Sequence, residues 1–154
     1  MICFSYRKKG CAFMSCNCLE NAKMLLDKTG STCVLCNGNI ILTDNRRGVR
    51  PLLDILNSDV DVIGFAAADK VVGKAAAYLY CLLRIGSLYA KIISQPALEV
   101  LAQAQISVEY DTLVPAIQNR TGDGPCPMEH AVWNVSDAED ALRAIQAKLE
   151  ELSK

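Results

Sequence analysis

The chain has 154 residues, of which 51% are hydrophobic, 21% charged and 6% aromatic. That length fits one domain burying about two-thirds of its unfolded surface. Sixteen basic against seventeen acidic residues leave a net charge of −1, so no global field draws nucleic acid or an anionic membrane. The apolar content excludes a disordered chain, and the length excludes a small disulfide scaffold.

Residues 1–15 read as a leader without structure, followed by one domain over 16–154. Arg7, Lys8 and Lys9 are not followed by an apolar stretch of signal-peptide length, and Met14 is as good a start for the folded protein as Met1. The longest uncharged apolar run, Ala75 to Leu83, is far shorter than the roughly twenty residues a bilayer requires. The expectation is a soluble, cytoplasmic protein whose eight cysteines are reduced thiols.

A first helix is expected over Cys18–Lys28, capped by Asn17 and stopped by Gly30, with Leu19, Ala22, Leu25 and Leu26 as its apolar stripe. Thr32–Cys36 and Asn39–Thr43 flank Asn37-Gly38, a strong hairpin signal. Cys33 and Cys36 have the spacing of a redox or zinc pair. On a strand, residues three apart point to opposite faces, so they are expected to be packing residues.

The polar loop Asp44–Pro51 holds Arg46, Arg47 and Arg50 and opens a short helix carrying Leu52, Leu53, Ile55 and Leu56. Ala66–Arg84 reads as one helix, apolar around its whole circumference and therefore central and buried. Ser87–Ile93 is a strand, Ser94 caps a helix over Gln95–Gln105, and Ile106–Tyr110 is a further strand; together they form a parallel unit. Ser136 to Glu139 is a capping box for the last helix, with Ala138, Leu142, Ile145, Leu149 and Leu152 at helical spacing. Trp133 is expected in the core. A hairpin joined to parallel strands predicts an α/β fold with a mixed sheet and helices on both faces.

Arg47 to Leu53, Ala68 to Ala77, Leu113-Val114-Pro115 and Asn119 to Glu129 resemble a family of small, uncharacterised prokaryotic proteins within the cytidine-deaminase-like superfamily. The resemblance runs from about residue 17 to the end and implies a three-layer α/β/α sandwich, in agreement with the element order. Deaminases of that superfamily hold Zn²⁺ through a His- or Cys-x-Glu at the start of the central helix and a Pro-Cys-x-x-Cys at the next. The corresponding places here, Ala68-Asp69-Lys70 and Ser94 to Ala97, have neither His nor Cys, and the one histidine, His130, lies far downstream. The resemblance therefore implies the fold without the zinc chemistry, and no metal site or cofactor is expected.

Three groups of residues make candidate sites. Asp69, Lys70 and Lys74 open the expected buried helix, with Lys70 and Lys74 on one face and Gly73 leaving room between them. Arg47 and Arg50 sit beside a helix N-terminus, a favourable setting for phosphate or carboxylate. The Gly- and Pro-rich segment from Asn119 to His130 adds Asn119, Arg120, Asp123, Cys126 and Glu129. The structural alternatives are ion pairing of the lysines with Asp69 or Asp61, solvated arginines, and a rigid turn around Cys126.

The leading expectation is a pocket for a small anionic, phosphorylated or nucleotide-like molecule, formed by these three groups. If a reaction occurs there, Asp69 or Glu129 is the base, Lys70 the electrostatic stabiliser and Cys126 the nucleophile. Whether the protein is an enzyme stays open. The competing expectation is a non-catalytic regulatory or assembly module acting as a homo-oligomer. A third is a thiol or metal protein using several of the eight cysteines, with Cys126 and His130 able to contribute half a metal site.

Overall fold

The Asn37-Gly38 turn forms as the chemistry of the dipeptide requires. Gly38 adopts a φ of 95°, and the Asn37 side chain accepts hydrogen bonds from the amides of Asn39 and Ile40. The computed structural model describes residues 2–4 and 14–153. The two strands that the turn joins, β2 (Cys33–Cys36) and β3 (Ile40–Asp44), pair antiparallel.

Numbered in chain order, β1 is Ile2–Phe4, α1 Met14–Thr29, α2 Arg50–Leu56, β4 Ala66–Val72, α3 Lys74–Leu83 and β5 Ser87–Ser94. The chain continues through α4 (Gln95–Gln103), β6 (Ser107–Val114), α5 (Pro127–Ala131) and α6 (Ala138–Leu152). The sheet has the order β1-β3-β2-β4-β5-β6. It is mixed: β2 pairs antiparallel with β4, whereas β4–β5 and β5–β6 are parallel. Of the expected leader, Ile2–Phe4 pairs with β3 and Met14 and Ser15 belong to α1, and residues 1 and 5–13 lie outside the described residues.

Helices cover both faces, giving the three-layer sandwich. On one face Ala22 and Leu26 of α1 pack against Val34, Ala68 and Tyr89. On the other, α2, α3, α4 and α6 enclose the larger core, in which Tyr80, Leu79, Leu101 and Ile145 are fully buried. Cys33 belongs to the larger core and Cys36 to a small cluster on the α1 side, so the two sulfurs do face apart. No helix among the described residues is long and apolar enough to cross a membrane.

Helix α1 starts at Met14, four residues before the expected Cys18, so Asn17 lies inside the helix and does not cap it; the larger departure is in mid-chain. Ala66–Arg84 is not a single helix but strand β4, a break at Gly73 and helix α3. A strand covered on both faces loses the polar alternation that marks most strands. Here it is also built of Ala66, Ala67 and Ala68, good helix formers whose small side chains let helices approach the sheet closely. Asp69 and Lys70 therefore sit at the carboxyl end of a central strand, and Lys74 opens the helix that follows. Two smaller corrections belong to the C-terminal third. Asp137, not Ser136, caps α6 by accepting from the amides of Glu139 and Asp140, and Trp133 is 54% exposed instead of buried.

Candidate functional site

In open α/β sheets, ligands bind beyond the carboxyl ends of parallel strands, where a strand hands over to a helix. A cleft of about 790 Å³ lies at that point of β4. Its walls come from the end of β4, the start of α3, the β3–α2 loop, the segment from Ile117 through Glu129, and the last turn of α6. Arg47, Arg50, Asp69 and Lys70 line it, and Asn119, Arg120, Cys126 and Glu129 join them from the other side of the sequence.

Asp69 is a buried carboxyl in the wall of the cleft. It is 9% exposed, and burial raises its pKa from 3.8 to about 7. The Tyr80 hydroxyl donates to Asp69 Oδ2 at 2.7 Å, and the Val71 amide donates to Oδ1 at 3.2 Å; both oppose that rise without cancelling it. Behind them, Cys33 Sγ lies 3.3 Å from the Tyr80 hydroxyl, and burial pushes the Cys33 thiol up. Near neutrality Asp69 exchanges its proton, while Cys33 and Tyr80 hold theirs.

Glu129 is 4% exposed and does different work. Its two oxygens accept the amides of Lys74 and Ala75 at 2.8 and 3.0 Å. A side chain 55 residues away thus caps α3, at the end where the helix dipole favours negative charge. Burial raises its pKa, and the two amides together with the Lys74 charge pull the other way. Gly73 makes this possible: it has extended backbone, and a Cβ there would overlap the carboxyl group, including Oε2 at 2.9 Å. With both oxygens committed to the helix end, Glu129 is a poor base.

Two candidate residues are not brought to the cleft. Lys74 donates from Nζ to the Trp133 carbonyl at 3.1 Å and lies over the Tyr78 ring. Asp123 accepts from Asn119 Nδ2 at 2.9 Å and Thr121 Oγ1 at 2.6 Å, closing the turn inside the 119–124 segment. These hydrogen bonds hold its carboxyl below the usual range. Cys126 is half-buried at the cleft, but His130 is exposed and not part of its wall, leaving the thiol without an imidazole base beside it. Sequence reasoning missed Tyr80, Cys33, Leu149 and Leu152. Tyr80 has no signal of its own, since its link to Asp69 depends on how α3 lies over β4. Leu152 ends a helical stripe and gives no hint that the stripe outruns the core.

The electrostatics of the cleft follow from which cations are already paired. Arg46 forms ion pairs with Asp44 and Asp54, each at 2.7 Å. Among the described residues, Arg47, Arg50, Lys70 and Arg120 form none. Against four unpaired cations the cleft sets only Glu129, committed to a helix end, and Asp69, close to half-protonated at pH 7.

The residues do not suit the zinc ion that deaminases of that superfamily hold. The start of α3 is Gly73-Lys74-Ala75, displaced from the Ala68–Lys70 position expected, and the start of α4 is Ser94 to Ala97. Neither supplies a nitrogen or sulfur ligand. Among the described residues no three His, Cys, Asp or Glu side chains gather around a common point.

The family described as "TM1506: Domain of unknown function (DUF1893)" matches residues 21–149. The crystal structure of a DUF1893 family protein from Thermotoga maritima superimposes with a TM-score of 0.79 at 27% sequence identity, covering 94% of each chain. The apo dCMP deaminase of cyanophage S-TIM5 aligns with a TM-score of 0.42 at 12% identity, over 64% of this chain and 98% of that one. No curated protein matches the sequence.

Proposed function

The chain belongs to the DUF1893 family, a domain of unknown function, and from its site we propose that it binds a small phosphorylated or otherwise anionic molecule in the cleft at the end of β4. The observation that carries this reading is the convergence of Arg47, Arg50, Lys70 and Arg120, none of them ion-paired, on one concave surface. A single unpaired arginine on a convex surface is simply solvated. Four cations around one hollow repel one another, and an anion that enters relieves this while gaining charge-assisted hydrogen bonds of about 1.5–3 kcal/mol each. Guanidinium forks suit phosphate and carboxylate oxygens. Asp69 complements them, because a carboxyl that is partly protonated at neutral pH repels an anion less and can exchange a proton with it.

Thermal shift against inorganic phosphate, pyrophosphate, sugar phosphates and nucleotides tests this proposal. At least one phosphorylated compound is expected to raise the Tm in a saturable way. Arg50→Ala and Arg120→Ala are each expected to weaken that response about tenfold, the effect of losing roughly 1.4 kcal/mol. Silence across the panel, or arginine variants that respond like the parent, would count against the proposal.

A homo-oligomeric module remains the second reading, supported by the edge strand β6, which exposes Tyr110 and Leu113. Sedimentation showing a stable dimer, with no ligand response in the panel above, favours it over the first.

A further inference from the structure

We infer that the ligand is an anion with an aliphatic body, not a nucleobase; this deepens the anion-binding reading and rests on it. The cations account for only part of the cleft. The rest of its wall includes Ile117, Met128, Leu149, Leu152 and Val71. Leu152 is 54% and Val71 44% exposed, so two of the larger apolar side chains left open to water border the same hollow as the four cations.

Helix α6 shows how this arises. Ala141 and Ile145 are fully buried in the core, and Leu142 and Leu149 pack against it. One turn further on, Leu152 extends the same stripe beyond the core and over the cleft. Exposed leucine beside guanidinium groups suits a molecule that is charged at one end and greasy at the other. A nucleobase is most often held by stacking on an aromatic ring. Among the described residues no Phe, Tyr, Trp or His lines the cleft. The occupant that fits is a small, free alkyl or acyl phosphate.

Calorimetric titration of the full chain with inorganic phosphate and with methyl, butyl and hexyl phosphate tests this, with AMP for comparison. Affinity is expected to rise at least twofold per added methylene, and about fourfold where the methylene is fully buried. Leu152→Ser, at an exposed position that leaves the core intact, is expected to flatten that slope, whereas Ile63→Ser, on an exposed residue outside the cleft, keeps it. Equal affinity for methyl and hexyl phosphate, or AMP binding more tightly than hexyl phosphate, would overturn the inference while sparing the anion site. No binding of any probe, phosphate included, overturns the site itself. Co-sedimentation with phosphatidic acid vesicles without binding of free hexyl phosphate would also overturn the inference, by assigning the chemistry to a bilayer.

Discussion

Replacing Asp69 by asparagine is expected to remove a pH dependence of stability worth about 4 kcal/mol. An unfolded aspartate titrates near 3.9, and Asp69 in the fold titrates at about 7. Below pH 4 both states hold the proton and the fold has its full stability. Between pH 4 and 7 the unfolded chain releases that proton while the folded one keeps it, so folded stability falls as pH rises. Three units at 1.36 kcal/mol each give the magnitude; above pH 7 the loss is complete and the contribution is flat. Asparagine cannot titrate. It can accept from Tyr80 through its oxygen, but then turns its amide group toward the Val71 N–H, a pH-independent cost of about 1–2 kcal/mol. The gap between parent and Asp69→Asn is therefore the informative quantity. It should favour the parent by about 1–2 kcal/mol at pH 4 and reverse by pH 8, leaving the variant ahead by about 2–3 kcal/mol. Other carboxylates, such as Asp44 with its pKa lowered by Arg46, contribute equally to both proteins and cancel. Chemical denaturation at a series of pH values reads the gap, and parallel curves from pH 4 to 8 would show that Asp69 is not buried as described.

The second large effect is expected at Gly73. Its backbone is extended and free of strain, so alanine there is opposed only by space. The added methyl would overlap the Glu129 carboxyl group, which must then leave the amides of Lys74 and Ala75. A buried and a half-buried donor lose their partner, and Gly73→Ala is expected to cost about 3 kcal/mol. Glu129→Ala should cost a similar amount by a different route, deleting the acceptor itself. The double variant settles the mechanism. With the carboxylate gone there is nothing for the methyl to strike, so Gly73→Ala in the Glu129→Ala background should be nearly neutral, a coupling of at least about 2 kcal/mol. Urea denaturation of the four proteins measures it, and additive costs would show that the two residues do not share one contact.

The way these residues reach one another explains what could be read beforehand. The β2–β3 hairpin was legible because Asn37-Gly38 dictates its own turn, and the β5–α4–β6 unit because Ser94 and Pro96 mark the helix start between two alternating runs. Much of the cleft was legible too, since Arg47 and Arg120 lie in polar loops and Arg50 opens α2, positions where the side chains are exposed. Strand β4 was not. Ala66, Ala67 and Ala68 favour helix locally, and burial on both faces erased the period-two signal; only Gly73 marked the break. Lys74 and Asp123 were placed in the site by neighbourhood in sequence. Lys74 instead reaches a carbonyl outside the cleft, and Asp123 is held by the turn it closes. Contacts across long separations, such as Tyr80 with Asp69 or Glu129 with the start of α3, depend on how layers stack, and no local pattern encodes that.

The unpaired cations of the cleft are tested most directly by amide ¹H–¹⁵N spectra recorded while inorganic phosphate is titrated into the full chain at constant ionic strength. Saturable shifts are predicted at residues 47–50, 70 and 119–121, the backbone that carries Arg47, Arg50, Lys70 and Arg120. Shifts absent from those residues, or spread evenly over every exposed lysine and arginine, would contradict a built anion site at the end of β4.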